Sequence, residues 1–260
     1  MSERPLRLER DRGLAVVTFC SPPLNLFSEA MRLELEQAVS ELELSQPRAV
    51  LLRAEGRVVS AGVDVALFDA LSGSAEAQAA FERLVQISQR VEALECPTVF
   101  AAHALCLTWA FELALACDLI LASESAQFGL VETVIGLTPA MGGTQRLAER
   151  AGSGRAREFV MTGCPYSART LERWNVVNRV LPDEGFDVAV RAFAHELAAG
   201  PTRAHAATKA VIRAYLAGGV ARADAEVPEI AGALFDTEDL QQAVRTFLEQ
   251  GPGKATFEGR

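Results

Sequence analysis

The sequence has 260 residues, half of them hydrophobic, which is enough to bury one large core. Its 25 Lys and Arg residues against 34 Asp and Glu residues give a formal net charge of −9, which argues against nucleic acid and anionic membranes as partners. The five cysteines are an odd and scattered set without a CxxC pair, a pattern typical of reduced thiols, and we expect a cytoplasmic protein.

Short apolar runs alternate with helical patterns along the first two thirds of the chain. Ser28 is a predicted helix N-cap, and apolar residues recur at helical spacing after it and again between Phe81 and Val91, before Pro97. Strands alternating with helices predict an α/β fold with a largely parallel sheet. The strands are predicted at residues 14–19, 49–53, 98–102 and 119–122.

From about Asp187 onward the pattern is helical only. Gly200-Pro201 and Gly218-Gly219 interrupt it. Leu240, Val244 and Phe247 share one face of the last predicted helix. We expect this apolar face to be buried on the core or on another subunit.

Glu112 is the one carboxylate within the apolar segment 105–117. A charged group in such a setting is costly unless it is paired or its pKa rises, which makes Glu112 a candidate for acid–base chemistry. The alternative is that Glu112 lies on the solvent face of a half-exposed helix. Small and apolar residues on the other faces of the predicted helix argue against that alternative.

Glu132 is a second carboxylate among apolar residues, after a predicted turn at residues 126–129. It is either an acid–base group or a first-turn carboxylate of a short helix. Two carboxyl groups in apolar surroundings suit acid–base chemistry at neutral pH, because burial moves their pKa values towards the working range.

Two glycine-containing segments are further candidate features. Ala61-Gly62 within residues 60–64 allows a tight turn with outward backbone N–H groups, or is an ordinary loop in which Asp64 caps the next helix. Gly142-Gly143 allows a close approach of the chain and the start of a helix.

Taken together, these motifs resemble the enoyl-CoA hydratase/isomerase, or crotonase, superfamily over nearly the whole chain. The A-G-x-D loop of that family matches residues 61–64, its E-L-A-x-x-C-D helix matches residues 112–118, and its A-x-F-x-x-P-E segment matches residues 126–132 apart from Val131. The G-G-T-Q-R-L run at residues 142–147 follows in the expected order.

The resemblance implies a spiral of ββα turns at residues 1–195 with an acyl-CoA site, and a helical trimerisation region at residues 196–260. It implies a homotrimer or a dimer of trimers, and no cofactor or metal beyond the coenzyme A of the substrate. The backbone N–H groups of Val63 and Trp109 are expected to form an oxyanion hole, with Glu112 and Glu132 on either side of the reacting bond. Members with both glutamates are typically hydratases, so we expect a 2-enoyl-CoA hydratase.

Several expected site residues depart from the family pattern or extend it. Trp109 stands where the family usually has glycine, and its indole either narrows the acyl site or packs into the core. Further CoA contacts implied by the resemblance involve the loop residues and two terminal positions: Asn25, Ala61, Gly62, Asp64, Lys254 and Phe257. For Asn25 the alternative is a turn residue, and for Lys254 and Phe257 it is a loose terminus.

Three other functions remain open from the residues alone. A 3,2-enoyl-CoA isomerase would use the same scaffold and depend mainly on Glu132. A non-catalytic acyl-CoA-binding homologue would result if Trp109 closes the acyl pocket. A nicotinamide-dependent enzyme is indicated only by strand–helix alternation, and the segment after the first strand, residues 20–23, has no GxGxxG motif.

Overall fold

A computed structural model describes residues 4–260. Its strands are β1 Leu6–Asp11, β2 Leu14–Phe19, β3 Ala49–Ala54, β4 Thr98–Ala102, β5 Leu105–Leu107, β6 Leu119–Ser123, β7 Gln127–Gly129, β8 Tyr166–Ser167 and β9 Arg179–Leu181. Its helices are α1 Glu29–Ser45, α2 Ala66–Asp69, α3 Ser74–Ala93, α4 Trp109–Ala116, α5 Gly143–Ala151, α6 Ser153–Thr162, α7 Ala168–Arg173, α8 Phe186–Ala199, α9 Thr202–Gly232 and α10 Glu238–Gln250. Two 3₁₀ turns, Glu132–Ile135 and Ala233–Asp236, complete the list.

The main sheet in residues 4–260 has the strand order β1-β2-β3-β4-β6-β9. Strand β1 pairs antiparallel with β2, and the remaining pairs are parallel. Strands β5, β7 and β8 form a small second sheet. The largely parallel sheet that the sequence predicts is therefore confirmed, and all four predicted strands lie within it.

Both faces of the main sheet are covered, and this explains the uninterrupted apolar strands. Along β2, Ala15 and Val17 belong to the larger core with α1, α3 and α4, whereas Leu14 and Val16 face the opposite core beneath α8. A strand buried on both sides needs apolar residues at every position, which is the pattern that made these strands recognisable.

Local signals explain the helix ends that matter for the site. The Ser28 hydroxyl accepts a hydrogen bond from the Met31 N–H, as expected of the predicted N-cap of α1. Helix α5 begins at Gly143, as the sequence predicts. The prediction of a turn at residues 126–129 is wrong: Gln127–Gly129 is a strand, because it pairs with both β5 and β8.

The C-terminal region is helical, as predicted, and α9 is interrupted at Gly218 and Gly219. Helix α8, which contains residue 195, packs on the sheet. The boundary between a core at residues 1–195 and a trimerisation region at residues 196–260 stays a prediction. Val244, Phe247 and Leu248 on α10 are exposed in the single chain. No helix within residues 4–260 is long and apolar enough to cross a membrane.

Candidate active site

Glu112 is buried in α4, with only 3% of its surface exposed. Its Oε2 atom accepts hydrogen bonds from the backbone N–H groups of Met141 and Gly143, each at 2.8 Å. Burial raises the pKa of Glu112 to about 7, against the opposite effect of these N–H donors, which favour the charged form. The alternative of a solvent-facing Glu112 is wrong, because every residue of α4 is buried.

Gly143 touches the side chain of Glu112 and leaves no room for a larger residue. A Cβ atom at position 143 would lie 2.6 Å from Glu112 Cγ. The neighbouring Gly142 has φ = 100°, and its carbonyl accepts a hydrogen bond from Arg146, which also binds Glu92 at 2.6 Å. The close approach predicted for the two glycines is confirmed: Gly143 lies against Glu112, and Gly142 lies against Arg146.

Glu132 is the first residue of the 3₁₀ turn Glu132–Ile135 and is 8% exposed. Within residues 4–260 its Oε2 atom has no hydrogen-bond partner. Burial, and secondarily the negative charge of Glu112, raise the pKa of Glu132 to about 8. The structure thus places a carboxyl group with a free oxygen close enough to Glu112 for the two charges to interact.

The Val63 N–H points away from the nearest backbone strand. Phe27 pairs with the residues on both sides of Val63: its N–H donates to Gly62 O at 3.0 Å, and its carbonyl accepts from Asp64 N at 3.0 Å. In this extended pairing, the N–H of the residue between them faces the opposite side. No backbone acceptor within residues 4–260 receives it.

The Trp109 N–H is the first of α4 and has no partner within the helix. The preceding Thr108 has φ = 50° and ψ = −121°, a conformation that a β-branched residue rarely adopts. Hydrogen bonds hold this turn in place: the Thr108 N–H donates to Gly129 O, and the Glu112 N–H donates to Thr108 O, both at 2.8 Å. Such strain is of order 1–3 kcal/mol and often accompanies functional sites.

The indole of Trp109 packs into the core. It is 2% exposed and contacts Phe19 and Phe27, with ring centroids 4.9 Å and 5.2 Å apart. Its Nε1–H donates to the Ser60 hydroxyl at 2.7 Å. Of the two orientations left open by the sequence, the structure has the one that faces the core.

An apolar cavity of about 160 Å³ brings these groups together. Val63, Trp109, Glu112 and Glu132 all line it. The apolar part of the wall comes from α2, α3 and the segment before α5, and includes Phe27, Leu67, Phe68, Leu71, Phe81, Leu84, Leu137, Ala140 and Met141. The wall of the cavity therefore includes two carboxyl groups and the two residues whose backbone N–H groups are the candidate donors.

The remaining loop residues have structural contacts of their own. The Asn25 side chain is 1% exposed and binds the backbone of Ser21, Glu55 and Val58. Asp64 accepts from the N–H of Ala66 at the start of α2. These contacts match the turn and capping alternatives for the two side chains.

The other expected CoA contacts also have defined surroundings. The N–H groups of Ala61 and Gly62 donate to Leu24 O and Ser60 Oγ. Lys254 is exposed, and Phe257 O accepts from Arg48 at 2.8 Å, so that part of the terminus is tied to the body of the chain. Contacts of all these residues with CoA stay predictions.

The thiols near the site are buried and carry no charge. Burial raises the pKa of Cys106 and Cys117, and both side chains belong to the main core. They act as small core residues. Within the part of the chain that the structure describes, no three metal-ligating side chains converge.

Sequence comparison covers almost the entire chain. Residues 9–260 match the family model described as enoyl-CoA hydratase/isomerase. The crotonyl-CoA hydratase of Syntrophomonas wolfei is 29% identical over an alignment of 262 positions that covers 99% of each chain. The short-chain-enoyl-CoA hydratase of Clostridium acetobutylicum is 29% identical over 246 residues, 94% of each chain.

Solved structures agree with the sequence match. An enoyl-CoA hydratase subunit I from Geobacillus kaustophilus superposes with a TM-score of 0.90 at 28% identity and 98% coverage of both chains. An enoyl-CoA hydratase from Mycobacterium smegmatis gives 0.89 at 26% identity, covering 95% of this chain and 97% of the other. The fold is the crotonase fold, and the alternative of a doubly wound nicotinamide-binding enzyme is wrong. The chain belongs to the enoyl-CoA hydratase/isomerase family.

Proposed function

We propose that this chain is a 2-enoyl-CoA hydratase, which adds water across the 2,3-double bond of an enoyl-CoA thioester. The observation that carries the proposal is a pair of buried carboxyl groups with raised pKa values. They share one apolar cavity with Val63 and Trp109, whose backbone N–H groups have no backbone acceptor within residues 4–260. A buried acid alone, or an oxyanion hole alone, is compatible with many different reactions. Their combination is suited to moving protons at the carbon atoms beside a thioester.

Negative charge develops on the thioester oxygen when the oxygen of the attacking water bonds to the β-carbon. We assign the stabilisation of this charge to the N–H groups of Val63 and Trp109. The hydrogen bonds of Phe27 and of Thr108 hold the backbone around these two N–H groups, which limits the reorganisation needed when the charge appears. The dipole of α4 also favours negative charge next to its first N–H, at Trp109.

Proton transfer is divided between the two glutamates. Glu112, whose charged form is supported by Met141 and Gly143, removes a proton from water, and the oxygen bonds to the β-carbon. Glu132, which has the higher pKa, donates its proton to the α-carbon. The pair holds one proton before and one after the addition, and a transfer from Glu112 to Glu132 restores the starting state.

The cavity favours an apolar acyl group. Phe68, Phe81 and Leu84 are among the side chains that form its wall. Two relatives are named for short substrates, crotonyl-CoA and short-chain enoyl-CoA. These observations support a linear apolar 2-enoyl chain as the substrate class.

The wild-type protein is expected to hydrate crotonyl-CoA or a longer linear 2-enoyl-CoA. The measurement follows the loss of the absorbance of the conjugated thioester over a panel of chain lengths, with product identified by mass. A shift of the double bond without a mass gain of one water would identify the isomerase. No turnover of any member of the panel would contradict the proposal.

The dependence of kcat/KM on pH is expected to be bell-shaped, with limbs near pH 7 and pH 8. Below about 7 the base Glu112 becomes protonated, and above about 8 the acid Glu132 loses its proton, so activity falls on both sides. The two apparent values belong to the coupled pair. A profile that stays flat from pH 6 to pH 9 would remove the assigned roles. Glu196→Gln, at an exposed position on α8, is the control.

Assembly and CoA binding complete the proposal. The exposed apolar side chains of α10, among them Val244 and Phe247, support a homotrimer or dimer of trimers that covers them. We propose that Lys254 and Phe257 contact the nucleotide of CoA in such an assembly. Hydration consumes only water and substrate, so we propose no cofactor. The odd, scattered set of five cysteines without a CxxC pair supports our proposal of a cytoplasmic location.

A further inference from the structure

Ser60 is a buried junction between the two segments that carry the candidate N–H donors. Its hydroxyl donates to Asn25 O at 2.8 Å, accepts from Gly62 N at 3.0 Å and accepts from Trp109 Nε1 at 2.7 Å. A hydroxyl has one proton and two lone pairs, so these contacts use its full capacity. The side chain is wholly buried, which makes each contact costly to lose.

Trp109 contributes to the site twice. Its backbone N–H is the first of α4, and its indole N–H binds the residue that organises the loop with Val63. The ring itself is held between Phe19 and Phe27, which restricts the direction of the indole N–H. Phe27 in turn pairs with the backbone on both sides of Val63.

The loop that carries Val63 needs such a restraint because the residue directly before Val63 is a glycine, whose backbone can adopt many conformations. Gly62 precedes Val63 directly and has φ = 116°, a region open to glycine. Backbone bonds already join Ser60 to β5, through Ser60 N to Leu105 O and Leu107 N to Ser60 O, both at 3.1 Å. These bonds fix Ser60 but not the Gly62 peptide, which is held by the Ser60 hydroxyl and by Phe27.

We propose that Trp109 is a positioning residue, whose indole N–H bond to the Ser60 hydroxyl sets the placement of the Val63 N–H relative to the Trp109 N–H. The inference rests on the proposed function, since it concerns the oxyanion hole of that reaction. It assigns to Trp109 a role in holding both donors at one spacing. Without the hydrogen bond from the indole to Ser60, both backbone N–H groups are still present, but the distance between them is no longer fixed.

The decisive variant is Trp109→Phe, which keeps an aromatic ring between Phe19 and Phe27 and removes the indole N–H. We expect kcat to fall about ten- to hundredfold, because small misplacements of this kind have costs of up to about 10². KM is expected to stay within about twofold, since the cavity wall is retained. Trp174→Phe is the matched control: Trp174 packs on Tyr166 outside the cavity and is expected to leave kcat unchanged.

A double-mutant cycle with Ser60→Ala separates positioning from packing. If the bond matters, Trp109→Phe has little further effect in the Ser60→Ala background, because its acceptor is already missing. Losses in kcat that add up in the double variant would show that Trp109 acts by packing alone. A fall in kcat accompanied by a rise in KM and a large loss of thermal stability would show the same. Wild-type kcat in Trp109→Phe would overturn the inference directly.

A binding measurement keeps this inference separate from the proposed function. The acyl part of acetoacetyl-CoA ionises to an enolate that shares its negative charge with the thioester oxygen, whereas the acyl part of butyryl-CoA stays uncharged. Trp109→Phe is expected to weaken acetoacetyl-CoA binding at least tenfold more than butyryl-CoA binding. Equal losses for both ligands would refute positioning even in an active enzyme. An inert wild type with the selective loss would refute hydration but retain the positioning role.

Discussion

The Glu132→Gln variant is expected to lower kcat for enoyl-CoA hydration by about 10²–10⁴, the usual contribution of a positioned acid–base group. Glutamine has nearly the shape of glutamate, but it cannot deliver a proton to the α-carbon. Because Glu132 Oε2 has no partner within residues 4–260, the exchange breaks no hydrogen bond at that atom. Steady-state kinetics on the most active enoyl-CoA of the panel provides the measurement.

Glu112→Gln distinguishes the two reactions that the scaffold supports. A hydratase requires Glu112 for the activation of water, so its kcat is also expected to fall by about 10²–10⁴. An isomerase moves one proton between carbon atoms through Glu132 and tolerates the change at 112. Full hydration by either glutamine variant, with Glu196→Gln as the control, would show that the pair does not carry the protons.

The Val63→Pro variant is expected to lower kcat by about 10²–10³, because proline removes the one N–H that this position contributes to the oxyanion hole. The N–H makes no backbone hydrogen bond within the described residues, so its removal leaves the pairing with Phe27 intact. The preceding residue, Gly62, has no Cβ to collide with the proline ring. Kinetic constants and the thermal midpoint are measured on the same preparations.

Val63→Ala is the matched control for the proline variant. It removes the branched methyl groups of valine but keeps the N–H, and its kcat is expected to stay within a few-fold of the wild type. A folded Val63→Pro protein with the kcat of Val63→Ala would exclude the Val63 N–H from catalysis. Loss of the folded state in Val63→Pro would be recognised from its unfolding curve, measured beside that of Val63→Ala.

The sheet was predictable where burial demanded apolar residues at successive positions, as in residues 14–19 and 98–102. Strand β1 was missed because only Leu6 and Leu8 alternate inward, while its outer face is charged: Arg7, for example, pairs with Glu55. The second sheet was missed for another reason. Its strands have two or three residues, too few to give a period.

The carboxyl pair was predictable because a charge in an apolar segment requires an explanation, and Glu112 and Glu132 both lie in such segments. Its environment was not predictable from local sequence. The donors to Glu112 come from residues 141 and 143, far along the chain, and the only local signal was the pair of glycines. The Trp109 bond to Ser60 likewise joins distant segments, and no spacing rule links an indole to a serine.

The tight contact of Gly143 with Glu112 has a consequence for how the site comes into being. Before α5 docks, Glu112 lacks its two amide donors and is hydrated, so it titrates as an ordinary surface glutamate. Its raised pKa therefore requires that the two helices have come together and expelled water. A ¹³C-labelled carboxyl at this position would report that event during refolding, as a chemical-shift change at pH 6 that a far-ultraviolet signal does not register.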